Sequence, residues 1–109
     1  MVQTSETYAA RDLEIFISDA FVALGVPPAD AQLVAGLMVQ ADLLGYDTHG
    51  SFRLRQYVNR LRDGGNNATA RVHTVVDKES IAIVDGDNGL GHLAMRQAAQ
   101  LAIDKAKSS

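Results

Sequence analysis

The densest chemistry in the sequence is the run Asp47-Thr48-His49-Gly50-Ser51-Phe52-Arg53, which gathers a carboxylate, hydroxyls, an imidazole and a guanidinium. His49 and Arg53 are four apart, so a helix beginning by His49 would place both on one face, with their heads converging on one small ligand. A protonated imidazole can donate a proton near neutral pH, and a guanidinium can hold a carboxylate through two parallel hydrogen bonds. That pairing suits a 2-oxo or 2-hydroxy acid. Thr48 can add a hydroxyl hydrogen bond, and unsatisfied N–H groups at a helix start favour an anion. The same residues also have a purely structural reading, in which Thr48 or Ser51 caps a helix, His49 bonds a neighbouring backbone group and Arg53 is a solvated charge. A metal reading has only Asp47 and His49 as local ligands, since His73 and His92 lie in other elements, and no metal is expected.

A second candidate is Gly89-Leu90-Gly91-His92-Leu93-Ala94, which fits G-x-G-x-x-G/A between an expected strand and an expected helix. A dinucleotide fingerprint would need an acidic residue about 20 positions on and a second βαβ strand, and the sequence ends before either. The glycines more simply make a tight turn and admit close helix packing. Arg55, Arg60 and Arg62 read as a solvated helix face.

These motifs must be held by elements, and the hydrophobic spacing supplies them. Leu13, Phe16, Ile17, Ala20, Phe21 and Leu24 form the stripe of an amphipathic helix that Gly25 ends. Pro27-Pro28 then open a second helix running to about Leu44. It is apolar on most of its circumference (Leu33, Val34, Ala35, Leu37, Met38, Val39, Ala41, Leu43), which marks it as the central helix. Gly45 stops it, a polar connection over Tyr46–Gly50 follows, and Leu54, Tyr57, Val58 and Leu61 mark a third helix. After the Gly64-Gly65-Asn66-Asn67 cluster, Arg71–Asp77 and Ser80–Asp85 read as a β-hairpin with a short polar turn. Past Asp85–Gly89 comes a final helix with Leu90, Ala94, Ala98, Leu101 and Ala102 on one face. It reaches Ser109 without a cap, so the sequence looks cut rather than finished. A two-stranded hairpin is marginal alone, so both strands are expected to belong to a larger sheet.

At 109 residues and 47% apolar, the chain has room for one modest core. Ten Lys+Arg against 13 Asp+Glu leave a net charge of −3, which provides no global basic field for a nucleic acid or an anionic membrane. No cysteine is present, which excludes disulfides and thiolate chemistry and points to a reducing compartment. The longest mainly apolar stretch, Ala31–Leu44, is too short to span a bilayer, and the N-terminus lacks the basic start and apolar run of a signal peptide. A cytoplasmic protein is expected.

At Ala41-Asp42-Leu43-Leu44-Gly45-Tyr46-Asp47-Thr48-His49-Gly50, followed by Arg53-Leu54 and Tyr57, the sequence resembles the malate/L-lactate dehydrogenase family. This type-2 group is distinct from the Rossmann lactate dehydrogenases. The Leu24-Gly25-Val26-Pro27 turn with Asp30-Ala31, the Val84–Gly91 stretch, and Ala98 to Lys107 are also similar to the family, so the resemblance covers nearly the whole chain. It implies NAD- or NADP-dependent hydride transfer on a small 2-hydroxy or 2-oxo acid. The family's D-S-H-G motif falls on Asp47-Thr48-His49-Gly50, making His49 the implied catalytic proton donor and acceptor. Its following arginine falls on Arg53, the implied carboxylate clamp, and Thr48 takes the place of a substrate-contacting serine. Three departures stand out: Thr48 adds a methyl, Leu44 stands where an arginine is common, and Arg55 replaces a frequent proline.

The resemblance further implies an α/β (α+β) chain that is part of a larger domain: an N-terminal segment over 1–109, helical over 8–63 and strand-strand-helix over 70–107. The non-Rossmann nicotinamide-binding domain would follow it, and with it the cofactor-binding residues, here unknown, and a second functional histidine. The family forms homodimers, so a homodimer is expected of an intact protein and little or no turnover of this segment alone. The rival reading is a non-catalytic helical and βα interaction module whose apolar helix and strand edges are covered by a partner.

Overall fold

The computed structural model describes residues 6–108. Residues 1–5 and Ser109, which complete the expected segment and carry its uncapped end, lie outside the described residues. The elements are α1 (Ala10–Ala23), α2 (Pro28–Leu43), α3 (Leu54–Arg62), β1 (His73–Asp77), β2 (Ala82–Asp85) and α4 (Gly91–Ser108). Two 3-10 turns, Asp47–His49 and Ser51–Arg53, lie between α2 and α3. The chain is thus the mixed α/β arrangement expected, with three helices, an antiparallel hairpin and a final helix.

The core sits between α1 and α2. Ile17 and Phe21 from α1 and Ala31, Val34, Ala35 and Met38 from α2 are fully buried. The last four recur at i, i+3, i+4 and i+7, the spacing of a single helix face. Leu61 from α3 and the loop residues Val26 and Leu90 close the cluster. One expected core residue is displaced: Phe16 is 63% exposed. At 3.6 residues per turn it lies roughly 120° around the helix from the Ile17–Phe21 direction, outside a face that instead buries Ser18. Leu43, counted as part of the encircled central helix, is also exposed at the α2 end.

The first three helices end in one way. After α1 the Gly25 N–H bonds Val22 O at 3.0 Å and the Val26 N–H bonds Phe21 O at 3.1 Å. After α2 the Gly45 N–H bonds Asp42 O at 3.1 Å and the Tyr46 N–H bonds Ala41 O at 2.8 Å. After α3 the Gly65 N–H bonds Arg60 O at 2.8 Å. This is the Schellman closure, and it needs the left-handed backbone that Gly25, Gly45 and Gly64 adopt at φ +94°, +83° and +81°.

The hairpin pairs His73 with Asp85 and Asp77 with Ala82, with a register shift between Thr74 and Val76 that leaves Val75 as a bulge. Both strands are shorter than the hydrophobic runs. Arg71 leaves the ladder because its N–H is taken by the Asp87 carboxylate at 2.8 Å, and Ile81 is drawn into the turn, its carbonyl accepting from Lys78 N–H at 2.8 Å. α4 lies on one face of β2, tied to β1 by Gln97 Nε2 donating to Thr74 Oγ1 (3.1 Å) and by Lys105 Nζ donating to Asp77. Of its expected buried face, Leu90 is buried but precedes the helix, Ala94, Ala98 and Leu101 are half-buried, and Ala102 is exposed.

The two halves are joined by asparagines. Asn67 N–H bonds Asn88 O at 2.8 Å, its side chain reaches Asp87, Asn66 Nδ2 donates to the Asn88 and Gly89 carbonyls, and Asn88 Nδ2 returns to Gly65 O. These bonds hold Asp87 and Asn88 in the left-handed region, at φ 52° and 54°. The radius of gyration is 16.0 Å, against about 13 Å for a compact domain of this length. An elongated body leaves much of its apolar surface uncovered.

Candidate active site

The motif turn is built on the C-terminal end of α2. Once the Schellman closure at Gly45 reverses the chain, Tyr46 O accepts from His49 N–H at 2.9 Å and Gly50 O accepts from Arg53 N–H at 3.0 Å. The condition for a shared helix face, a helix beginning by His49, is therefore not met. Gly50 separates two 3-10 turns, and α3 begins only at Leu54. The reason lies in the anchoring of the turn to α2. Both carboxylate oxygens of Asp42 accept from Ser51 N–H, at 3.2 and 3.1 Å. Gly50 is pressed so close to α2 that a Cβ there would stand 1.8 Å from Asp42 Oδ1 and 2.9 Å from Met38 O.

His49 and Arg53 are nevertheless brought together, through Thr48. Thr48 Oγ1 and His49 Nδ1 are in hydrogen-bond contact at 2.9 Å, and Arg53 Nε donates to Thr48 O at 2.8 Å. The Thr48 hydroxyl can accept from Nδ1–H both in the protonated ring and in the neutral ring that has released its Nε2 proton, so one contact orients the imidazole in both states. Nε2 is then the nitrogen placed to exchange a proton with a ligand. Arg53 Nη1 also donates to Gln56 Oε1 at 3.1 Å, which commits two of its five N–H bonds and leaves the rest of the guanidinium for an anion. The guanidinium carbon stands 5.9 Å from the Phe52 ring centroid. The turn is largely open to solvent: Thr48 and His49 are exposed and Arg53 is half-buried, and Leu43, Leu44, Tyr46 and Phe52, close by in the chain, are exposed apolar residues, Phe52 at 74%.

Gly89–Ala94 has a different use. The preceding strands are antiparallel, and a Cβ on Gly89 would lie 2.4 Å from Ala70 Cβ, so this glycine exists for loop packing. A Cβ on Gly86 would likewise lie 3.1 Å from Ala94 Cβ. With Leu90 buried in the core, the described residues offer no dinucleotide cradle there, and no step through a nicotinamide is derived from them. Nor do three His, Asp or Glu side chains gather as metal ligands among them.

Sequence reasoning gave no role of its own to two features. Asp42 is separated from Ser51 by nine positions, and its only local sign is a carboxylate in the last turn of a helix. His92 packs edge-on against Tyr57, ring centroids 5.5 Å apart, in a cleft of about 710 Å³ between α2, α3 and α4. Its Nδ1 is buried without a partner, and burial holds its pKa below the ordinary imidazole value.

The profile of the malate/L-lactate dehydrogenases matches residues 8–109. The chain belongs to the malate/L-lactate dehydrogenase family. Among curated members it is 40% identical over 94 residues to malate dehydrogenase from Pyrococcus horikoshii, which covers 86% of this chain and 26% of that protein. It is 39% identical over 92 residues to L-sulfolactate dehydrogenase from Methanocaldococcus jannaschii, covering 84% and 27%. The solved malate dehydrogenase of Pyrococcus horikoshii superimposes on all of this chain with a TM-score of 0.86 at 35% identity, using 33% of its own chain. The chain thus spans about a quarter to a third of the length of these family members.

Proposed function

We propose that residues 1–109 form the N-terminal segment of an NAD- or NADP-dependent oxidoreductase acting on a small 2-hydroxy or 2-oxo acid. The observation that carries the reading is the Thr48 hub, which ties the His49 imidazole and the Arg53 guanidinium into one turn of a chain matched to this family over residues 8–109. In reduction of a 2-oxo acid, Arg53 holds the carboxylate and His49 gives a proton to the carbonyl oxygen; a nicotinamide bound outside the described residues would supply the hydride. In oxidation the same imidazole takes the proton back. The second Thr48 role, contact with substrate, uses the remaining capacity of its hydroxyl.

The nicotinamide itself is assigned outside the described residues, together with the surface that excludes water from this exposed turn. Homodimerisation, supported by the family match, and a cytoplasmic location, supported by a chain without cysteine, belong to the same proposal. Among the described residues, no helix is long and apolar enough to cross a membrane.

The test is a chimera in which residues 1–109 replace the matching region of the Pyrococcus horikoshii malate dehydrogenase. Nicotinamide-linked oxidation of malate or lactate that is lost on His49→Ala supports the assignment. A folded chimera indifferent to His49→Ala and Arg53→Ala overturns it. A second reading, a non-catalytic interaction module, is favoured by the exposed apolar face of the hairpin, where Val75, Ile81 and Ile83 are each half or more exposed. A monomeric chain that folds cooperatively and binds no nicotinamide would select it.

A further inference from the structure

We propose that Asp42 is the positioning residue of this site, acting on His49 and Arg53 through the Gly50–Ser51 peptide. The proposal rests on the assignment of those two residues given above. Asp42 stands in the last turn of α2, where the helix dipole disfavours a carboxylate, and that turn carries no basic residue. What offsets the position is the next segment. Ser51 N–H is a donor at the start of a new helical turn, and it reaches both Asp42 oxygens. The residue in the ordinary capping position, Gly50, has no side chain to do this. Asp42 therefore caps the Arg53-bearing turn from nine positions away, across the surface of α2.

The contact has consequences on both sides of the anchored peptide. His49 immediately precedes it, and the Gly50 carbonyl accepts from Arg53 N–H. Arg53 Nε then closes back on Thr48 O. A shift of Gly50–Ser51 against α2 therefore changes the separation of imidazole and guanidinium without altering either. Glycine at position 50 is the complementary half of the device, since any Cβ would occupy the place of the Asp42 carboxylate.

The test reads the whole chain by NMR: solvent exchange of Ser51 N–H and Arg53 Nε–H, the His49 ring signals, and the affinity for oxalate as a probe of the carboxylate clamp. In Asp42→Ala, Ser51 and Arg53 are expected to lose protection together, the His49 signals to move, and oxalate to bind roughly tenfold more weakly or worse. The methyl signals of Ile17 and Val34 in the core should stay in place. Asp42→Asn keeps the size and one acceptor oxygen, and it is expected to restore part of each signal; it also serves if the alanine variant fails to fold. In either variant, a Ser51 amide that has lost protection while Arg53 Nε–H and the His49 ring keep their unsubstituted values overturns the proposal. Absence of oxalate binding by the unsubstituted chain counts against the substrate reading, and the coupling of Ser51 to Arg53 still decides the role of Asp42.

Discussion

Thr48 makes two contacts that differ in kind. Its hydroxyl touches the His49 ring, and its carbonyl holds Arg53 Nε. The first depends on the side chain and the second does not. In the chimera, Thr48→Ser should keep activity within a few-fold, and Thr48→Val should lower kcat with the Arg53 geometry retained, as read by steady-state kinetics. Arg53→Lys should not restore the clamp, because an ammonium cannot hold Thr48 O, Gln56 and a planar carboxylate at once. A loss of roughly tenfold or more in kcat/KM, mostly through KM, is expected. His92 has a separate pH signature. Its neutral form is favoured by burial in the folded chain, so between its lowered pKa and the ordinary imidazole range the unfolded state binds more protons. Stability is therefore fully present above that range and falls as the pH drops through the lowered value. Thermal melts from pH 7.5 downward should show this loss, and His92→Gln should flatten it.

The elements that carry the site differ in how strongly they are held. α1 and α2 share the buried cluster around Phe21 and Met38, so Phe21→Ala should cost about 3–5 kcal/mol in a denaturant melt. The Gly89–Ala70 approach is another fixed point: Gly89→Ala forces a contact of 2.4 Å and should cost about 1–3 kcal/mol without touching Thr48, His49 or Arg53. An equal loss of stability and of oxalate binding in that variant would show that the two halves are not independent. The helix ends were legible, because glycine after an apolar stripe has one inexpensive conformation there. The break at Gly50 between His49 and Arg53 was not, because a spacing of four says nothing about a carboxylate nine positions upstream that pulls the Gly50–Ser51 peptide onto α2.

Over the whole molecule, the balance between buried and open apolar surface is uneven. α1, α2, Leu61 and Leu90 enclose the core, whereas Val75, Ile81 and Ile83 on the hairpin and Met95 and Ile103 on α4 stand open, as do Leu43, Leu44, Tyr46 and Phe52 around the site. Patches of this kind bind other surfaces. The isolated chain is expected to sediment as concentration-dependent oligomers and to brighten a hydrophobic dye. Val75→Thr with Ile83→Thr, which keep β-branched residues in place, should reduce both effects. Monodisperse sedimentation of the unsubstituted chain across concentration would refute the expectation.

Taken by itself, the sequence determined the order of elements, the helix stops at Gly25 and Gly45, the hairpin, and the residues of the motif turn. Each of these is local: hydrophobic period, turn chemistry and residue type act over a few positions. Tertiary structure decided that Phe16 faces solvent, that Arg71 leaves its strand for Asp87, that Gly89 serves packing against Ala70, and that Asp42 seats the turn in which Thr48 links His49 to Arg53. Those outcomes depend on distances between residues far apart in the chain, and such distances are set only when helices and loops compete for the same space and the same hydrogen-bond partners.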